Sequence, residues 1–335
     1  MPNCTVCLSH VCHTFNLNIG RLDWRKTDSR LSDEPKPVKL LIATAQLADF
    51  GTADKGVLVQ IRTGFELIYR FPQPTPIILL VNIHDSRAAD IVVPDCLVTD
   101  PSLPFTGYRD AFGNQCNRGV APAGRIRLSA NCVINDTGEP DEVAAGAGQD
   151  SVENLPEEVL IFLRGSRYCE TDILSETAWQ LFSGVAPGYP RVQAICDYVH
   201  HRIAFNYQNA RATRTALEGF NERTGVCRDY AHLAIAFCRC MNIPARYCTG
   251  YLSDLGTLPP YGVGDFAAWF EAWIGGKWHT FDPRNNVPRV GRVLMARGRD
   301  ACDVAIATTF GPNTLEGFTV WTDEFAACGP LVGGD

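Results

Sequence analysis

The sequence predicts an α+β protein in which an all-β sandwich precedes a mixed domain of helices and antiparallel strands. Three observations support this fold class. Apolar and polar residues alternate between residues 57 and 137, as in half-buried strands. Helical periodicity appears in the second half of the chain. Two aromatic-rich runs then flank Gly275-Gly276, which is the pattern of a β-hairpin.

Composition and charge narrow the classes of function. The chain has 335 residues, which suggests two domains, and 46% of them are apolar, too many for a disordered chain. A net charge of −7 argues against nucleic acid or an anionic membrane as a partner. The longest apolar run, around Ile77–Val81, has the length of a strand rather than of a membrane span. No secretory pattern opens the sequence, so the cysteines indicate reduced thiols in a cytoplasmic protein.

Four segments follow from these patterns. Residues 1–55 are charged and aperiodic, and we expect a flexible leader there. Residues 56–137 are the predicted β-sandwich, 138–157 form an acidic, Gly- and Pro-rich linker, and 158–335 form the second domain. The leader holds closely spaced candidate metal ligands: Cys4, Cys7, His10, Cys12 and His13. Their spacing is too compressed for a zinc module, so no metal is predicted.

The strands of the predicted sandwich are bounded by turn residues. Val57, Val59 and Ile61 begin the first alternating run, and Ile77–Ile83 is a continuous apolar run typical of a central strand. Asp110–Asn114 has the composition of a turn between strands. Alternation resumes over residues 124–134. No residue of this segment suggests chemistry, so its predicted role is packing, framing a substrate or contacting a partner.

The second domain begins with helical patterns. Val192, Ile195, Cys196, Val199 and Ile203 fall on one face of a helix. The next predicted helix starts at Cys227 and ends at Asn242-Ile-Pro244.

Cys227 is the candidate nucleophile. A thiol in the first turn of a helix lies near unpaired N–H groups and the positive end of the helix dipole, which favour a thiolate. A thiolate is the nucleophile for covalent catalysis at an acyl group. The alternative is an ordinary buried cysteine, because the chain has 14 of them. Cys238, Cys240 and Cys248 have no Cys-x-x-Cys spacing and are expected in the core.

Four segments together resemble the bacterial transglutaminase-like family of papain-like cysteine enzymes. They are Gly225–His232, Asn242–Arg246, Asp265–Glu271 and Trp278–Asp282. The resemblance implies a papain-like second domain with a Cys–His–Asp triad, in which Cys227 is the nucleophile and Asp282 orients the base. It also implies a substrate with an amide bond, a peptide or protein, and no cofactor.

Ala267 stands where the family has its histidine. The family motif has the form Asp-Phe-His-Ala-Trp, and this chain has Asp265-Phe-Ala-Ala-Trp269. Alanine cannot accept a proton, and loss of a positioned base typically slows a reaction by ~10²–10⁴-fold. The resemblance therefore supports the fold more strongly than the activity.

Other histidines are poor replacements on geometric grounds. A two-residue turn at Gly275-Gly276 pairs Ile274 with Lys277, which places Asp282 on the sheet face of Ala267 and directs His279 to the other face. A four-residue loop gives the same faces, whereas a three-residue loop or a bulge would not. His232 lies five residues after Cys227 on the same helix and is rotated away from it. The sequence does not place His200 and His201. Asp229 is expected to cap the helix or to form an ion pair.

Three interpretations stay open. The first is thiol-dependent acyl transfer, with hydrolysis preferred to crosslinking and with activity weak or lost. The second is a catalytically silent relative that binds a peptide or a partner protein, with Trp269, Trp273 and Trp278 as contact or core residues. The third is that Ala267 is an engineered change in an active enzyme.

Overall fold

In the computed structural model, the described residues are 59–259, 262 and 264–325. The predicted leader and its Cys and His cluster lie outside these residues. Two antiparallel sheets form the first part of the fold. The first sheet consists of β1 (Val59–Phe71), β3 (Ile91–Val93), β4 (Val98–Asp100), β7 (Gly124–Asp136) and β15 (Thr314–Glu324). The second consists of β2 (Thr75–Leu79), β5 (Thr106–Arg109), β6 (Gln115–Ala121) and β14 (Ala307–Thr309).

The predicted alternation becomes the core between these sheets. In the long pair of β1 and β7, Phe65 lies opposite Ala130 and Leu67 opposite Leu128, and all four side chains are buried. Ile77 from β2 packs in the same apolar cluster. Apolar and polar residues alternate along these strands because one face of each strand packs against the opposite sheet and the remaining face is in contact with solvent. The predicted β-sandwich is confirmed.

The second part is a four-stranded antiparallel sheet with helices packed against it. Its strands, in spatial order, are β12 (Lys277–Phe281), β11 (Ala267–Ile274), β10 (Ala245–Leu252) and β13 (Arg292–Gly298). A short parallel pair, β8 (Ala204–Phe205) and β9 (Thr224–Gly225), precedes it. The helices are α1 (Glu157–Leu160), α2 (Thr171–Phe182), α3 (Tyr189–Arg202), α4 (Ala216–Glu222) and α5 (Cys227–Cys240). The predicted α+β class is confirmed.

Helix α5 is the buried centre of this part. Every residue from Arg228 to Cys240 is buried, and α2, α3, α4 and the sheet surround the helix. At its start the Asp229 carboxylate accepts a hydrogen bond from the Val226 N–H at 3.0 Å and from Arg214 Nη1 at 2.9 Å. Asp229 is therefore a structural cap, as predicted, and it fixes the direction in which Cys227 leaves β9.

The hairpin of β11 and β12 has the predicted register. Ile274 lies opposite Lys277, and Phe270 lies opposite Phe281. Gly275 and Gly276 have φ angles of 59° and 76°, which a tight two-residue hairpin turn requires. One face of the hairpin, with Phe270 and Phe281, packs toward the helices in the core cluster. Asp282 follows β12 on the opposite face.

The end of the described chain returns to the sandwich. β15 pairs with β1, and β14 pairs with β2. Segment 138–157 is also tied to the later sheet, since Arg292 Nε donates to Asp141 at 2.8 Å and the Gly275 N–H donates to the Gly148 carbonyl at 2.8 Å. The predicted domain boundaries stay a prediction, and these contacts cross them. None of the helices in the described ranges is both long and apolar enough to span a bilayer.

Candidate active site

The thiol of Cys227 opens into a cavity of about 340 Å³. Cys227 is the first residue of α5 and is partly exposed, whereas the rest of the helix is buried. The Cα of Gly225, two residues earlier, lies so close to Asp229 that a Cβ would approach that carboxylate to 2.6 Å. Glycine at this position lets the chain turn tightly into the helix and brings the thiol to the cavity wall.

The structure brings the three sequence-predicted positions to one cavity. Cys227, Ala267 and Asp282 all line it. Cys227 comes from the start of α5, Ala267 from the first position of β11, and Asp282 from the residue after β12. In this hairpin register Ala267 and Asp282 lie on the same face of the sheet, as the alternation of side chains along the two strands predicts.

Asp282 is held in place by four hydrogen bonds. Its Oδ1 accepts from the backbone N–H groups of Arg284 (3.1 Å) and Asn285 (3.0 Å). Its Oδ2 accepts from Asn285 Nδ2 (2.7 Å) and Arg292 Nη2 (2.8 Å). Burial opposes ionisation, but the Arg292 guanidinium and the Asn285 donors outweigh it and hold the pKa of Asp282 below its usual range. The carboxylate is therefore charged at neutral pH.

The thiol of Cys227 is protonated at neutral pH, contrary to the expectation from its helix terminus. Burial raises the pKa of Cys227 to about 12, and the nearby charge of Asp265 raises it further. Arg284 and a hydrogen bond from the backbone at Ala268 lower it, but they do not compensate. Removal of water from the thiolate thus outweighs the stabilisation that Arg284 and the backbone hydrogen bond at Ala268 give it. An imidazolium at position 267 would oppose this effect, and alanine cannot.

The histidines lie elsewhere. None of those among the described residues lines the cavity. His279 is buried opposite Ala272, and its Nδ1 is 3.9 Å from Glu142 Oε2. His232 stacks on Tyr168 with ring centroids 5.1 Å apart, and its Nε2 accepts from the Ala301 N–H.

His200 and His201, which the sequence did not place, lie at the end of α3. The Nδ1 atom of His200 is 3.1 Å from the Pro283 carbonyl oxygen, and that of His201 is 2.7 Å from the Asp197 carbonyl oxygen. Neither residue lines the cavity. The predicted exclusion of His279 and His232 as cavity bases agrees with their positions.

The aromatic residues near the site have different roles. Trp269, Trp273 and Trp278 do not line the cavity, and Trp269 is a core residue on the face of Ala267. Trp321 of β15 lines it instead. Its indole donates to Asn131 Oδ1 at 3.2 Å. A contact between the last strand and a site in the second part of the fold is not visible in local sequence patterns.

Sequence reasoning also missed three charged residues of the site. Arg292 pairs with Asp282, as described above. Arg284 lies over the Phe205 ring at 4.5 Å from the ring centroid and brings a positive charge to the cavity. Asp265 lines the cavity with an Oδ1 atom that is buried and has no hydrogen-bond partner among the described residues. Burial raises the pKa of Asp265 to about 7.

Comparison with known proteins shows a family match in this region and a similar solved structure. Residues 175–283, which include Cys227, Ala267 and Asp282, match the model of the Transglutaminase-like superfamily. This region of the chain is transglutaminase-like. The crystal structure of a candidate cysteine protease from Cytophaga hutchinsonii is similar over 81% of this chain and 92% of that one, with 29% identity and a TM-score of 0.70.

Two curated relatives are uncharacterized mycobacterial proteins. One from Mycobacterium leprae is 37% identical over 94 residues, which cover 27% of this chain and 33% of the relative. One from Mycobacterium tuberculosis, Rv2569c, is 33% identical over 150 residues, or 40% of this chain and 46% of the relative. The chain thus spans less than half the length of the curated relatives it matches.

The residues that the structure describes include no candidate metal centre. No group of three or more His, Cys, Asp or Glu side chains there is arranged to hold a metal ion. Two of the carboxylates that line the cavity form ion pairs: Asp282 with Arg292 at 2.8 Å and Asp254 with Arg289 at 3.7 Å.

Proposed function

We propose that this protein is a slow thiol-dependent amidase of the transglutaminase-like type, acting on a peptide or protein substrate. The observation that carries the proposal is that Cys227 and Asp282 line one cavity together with Ala267. A thiol, a position for a base and a buried carboxylate are the parts that nucleophilic catalysis at an amide needs. The similarity over most of the chain to a candidate cysteine protease supports the same reaction class.

In the proposed reaction the Cys227 sulfur attacks the carbonyl carbon of an amide. The amine leaves with a proton, and a thioester forms at Cys227. Water then attacks the thioester and releases a carboxylic acid. The Arg284 charge lies where it favours anionic states of the cavity, because it lowers the pKa of Cys227.

The proposed reaction is slow because the thiol keeps its proton at neutral pH. The pKa of Cys227 is about 12, and Ala267 does not accept the proton. Asp282 has donors on both oxygens, so in this chain it mainly holds the loop of Arg284 and Asn285. Hydrolysis is favoured over crosslinking, since water is the acceptor at hand.

A second candidate is a catalytically silent peptide-binding protein. The raised pKa of the Cys227 thiol favours it, because a protonated thiol is a poor nucleophile. In this case the cavity would bind the substrate-like segment of a partner without cleaving it. Arg284 and Trp321 would supply charge and aromatic contacts.

Replacement of Ala267 by histidine separates these two functions. Ala267 is only partly buried and lines the cavity, so an imidazole has room there and Asp282 lies on the same sheet face. We expect Ala267→His to raise the rate of amide hydrolysis by ~10²–10⁴-fold, the usual contribution of a positioned base. The assay measures ammonia or amine release from a glutamine-containing peptide library.

Two controls define the result. Ala267→Asn adds polar side-chain volume without a proton acceptor of suitable pKa and should produce no gain. Cys227→Ala should abolish the slow reaction of the wild type and also the gain in the histidine variant. Equal rates for the wild type, Ala267→His and Cys227→Ala would contradict the amidase proposal and favour the binding function.

A further inference from the structure

Asp265 is a cavity carboxylate whose hydrogen bonding is incomplete. It lies in the loop that enters β11, two residues before Ala267. Its Oδ1 atom is buried and has no hydrogen-bond partner among the described residues. Such an atom is costly, because the lost hydration of the carboxylate is not replaced by donors from the protein. An acceptor in this state can take a proton from a neighbouring acid.

The other carboxylates of the cavity are not in this state. Both oxygens of Asp282 accept hydrogen bonds, four in total. Asp254 is 48% exposed in its side chain and lies near Arg289, and Asp323 is exposed. Among the carboxylates that line the cavity, Asp265 thus has a buried acceptor oxygen without a hydrogen-bond partner in the described chain.

Asp265 and Cys227 belong to one electrostatic site. Both line the cavity, and the charge of Asp265 raises the pKa of the Cys227 thiol. Transfer of a proton from the sulfur to this carboxylate would relocate the negative charge without adding a second one. It would also remove the repulsion that disfavours the thiolate. Desolvation, which penalises two charges more than one, favours such a shared proton.

We infer that Asp265 is the general base and acid for Cys227, in place of the imidazole that Ala267 cannot supply. This inference rests on the proposed amidase function. Asp265 accepts the Cys227 proton directly or through one water as the sulfur bonds to the carbonyl carbon, and it then protonates the leaving nitrogen as the C–N bond breaks. In the second half Asp265 takes a proton from the attacking water. That proton returns to the sulfur as the C–S bond breaks.

The base form of Asp265 exists above its pKa of about 7 and is lost as the pH falls. The thiol-dependent rate should therefore rise through pH 7, long before Cys227 itself ionises near pH 12. The other charged or titratable groups lining the cavity are Tyr207, Asp254, Asp282, Arg284, Arg289 and Asp323. Asp282 is already ionised in this range, since its pKa lies below its usual value.

Alkylation of Cys227 by iodoacetamide tests the inference without any substrate. If Asp265 takes the proton, Asp265→Asn should slow labelling of Cys227 at pH 8 by ~10-fold or more, and the inflection near pH 7 should disappear. If Asp265 is only a nearby charge, the same substitution should speed labelling, because removal of the charge lowers the pKa of the thiol. Labelling is measured by mass spectrometry of the peptide that contains Cys227.

A double-variant comparison provides the second test. In the Ala267 background, Asp265→Asn should lower amide hydrolysis by ~10²-fold. In the Ala267→His background the imidazole is the base, and the same substitution should change the rate by less than about threefold. A structural role for Asp265 would instead lower both rates equally.

The two proposals fail in different ways. An unchanged or faster alkylation rate in Asp265→Asn overturns the role of Asp265, whatever the amidase result. No hydrolysis by the wild type above the Cys227→Ala background overturns the amidase function, although alkylation still reports on Asp265. Should the Asn variant not fold, the wild-type pH profile decides, because absence of an inflection near pH 7 overturns the inference.

Discussion

At the residue scale, Asp282 and Asp265 show how environment sets the state of a carboxylate. Asp282 is buried yet charged, because Arg292 and Asn285 supply donors to it. The Oδ1 atom of Asp265 has no donor among the described residues, and burial raises the pKa of this carboxyl group to about 7. Two carboxylates of one cavity therefore have opposite pKa shifts. When two carboxyl groups of one site have opposite pKa shifts, the group with the raised pKa is the candidate for acid–base chemistry, and the other stays ionised.

The raised pKa of Asp265 predicts a pH-dependent cost to stability. In the unfolded chain the carboxyl ionises near its usual 3.8, but in the fold it ionises near 7. The folded state therefore binds more protons between these values, and its stability falls as the pH rises through them. Asp265→Asn should remove this loss and stabilise the protein at pH 8 by roughly 1–3 kcal/mol, with little effect near pH 4.

Urea unfolding of the wild type and of Asp265→Asn at pH 4 and pH 8 measures this difference. Asp323→Asn is the matched control, because Asp323 lines the same cavity but is exposed. Its substitution should change the free energy of unfolding by less than about 0.5 kcal/mol at both pH values. A variant at 265 that is equally or less stable than the wild type at pH 8 would contradict the raised pKa.

Some site residues could be predicted from the sequence and others could not. Cys227, Ala267 and Asp282 stand in local motifs. The alternation of side chains along the strands was sufficient to place Ala267 and Asp282 on the same face of the sheet. Their protonation states depend on burial and on charges distant in the chain. Asp265 stood within a recognised motif, but an open lone pair is a property of packing and leaves no local signal.

At the scale of elements, the hairpin turn sets the position of Asp282. Gly275 and Gly276 both have positive φ, and this geometry pairs Ile274 with Lys277. A shift of the register by one residue would move Asp282 to the helix-facing side of the sheet. The register was predictable because two consecutive glycines between strand-forming runs specify a two-residue turn.

We therefore expect substitutions at Gly276 to affect stability through strain in the backbone. A Cβ there would meet no atom within 4 Å, so only the positive φ of 76° resists substitution. Gly276→Val should lower the free energy of unfolding by ~1–2 kcal/mol, because a β-branched residue is strained in this conformation. Gly276→Asn should cost less, since asparagine tolerates the left-handed region.

Equilibrium urea unfolding compares the two variants. Gly184→Ala is the control, because Gly184 is exposed, has no positive φ, and a Cβ there would also meet nothing within 4 Å. It should be neutral or slightly stabilising. Equal losses for the Val and Asn variants at position 276 would show that the turn conformation is not what limits substitution.

At the scale of the whole molecule, the loop that carries Asp265 is anchored on the sandwich. Phe266 contacts Phe65 of β1 and Phe318 of β15, with ring centroids 6.1 and 5.9 Å apart. Gly264, on the other side of Asp265, lies against the backbone of Val320. The wall of the cavity is thus built from both parts of the fold.

This close approach makes Gly264 a sensitive position. A Cβ at Gly264 would lie 2.0 Å from the Val320 carbonyl oxygen, a backbone atom that cannot rotate away. Gly264→Ala should therefore push β15 from the cavity wall and lower the free energy of unfolding by ~1–3 kcal/mol. The iodoacetamide labelling rate of Cys227 should also change, because the wall that shields it moves.

Gly262→Ala serves as its control within the same loop. A Cβ at Gly262 meets no atom within 4 Å, and this substitution should leave both the unfolding midpoint and the labelling rate unchanged. If Gly264→Ala behaves like Gly262→Ala in both measurements, the loop does not depend on its contact with β15. The measurements are urea unfolding and mass spectrometry of the labelled peptide.

Sequence patterns predicted the individual sheets and helices better than they predicted the pairing of the last strands with the first sheets. The sandwich, the Cys227 helix and the hairpin all have local signatures of alternation, period or turn residues. The pairing of β15 with β1 has none, since the two strands are far apart in the chain and any edge strand could have met any other. The linear assignment of domains at residues 138–157 therefore could not foresee that the last strands close the first sheets.

The return of β15 to β1 has a consequence for biosynthesis. About 240 residues separate the end of β1 from the start of its partner. A ribosome adding 5–20 residues per second needs on the order of 10–50 s to make them. Throughout that time one edge of β1 has unpaired N–H and C=O groups, a template for mispairing with neighbouring nascent chains. This edge of β1 therefore stays open to mispairing until translation reaches Glu324, the last residue of β15.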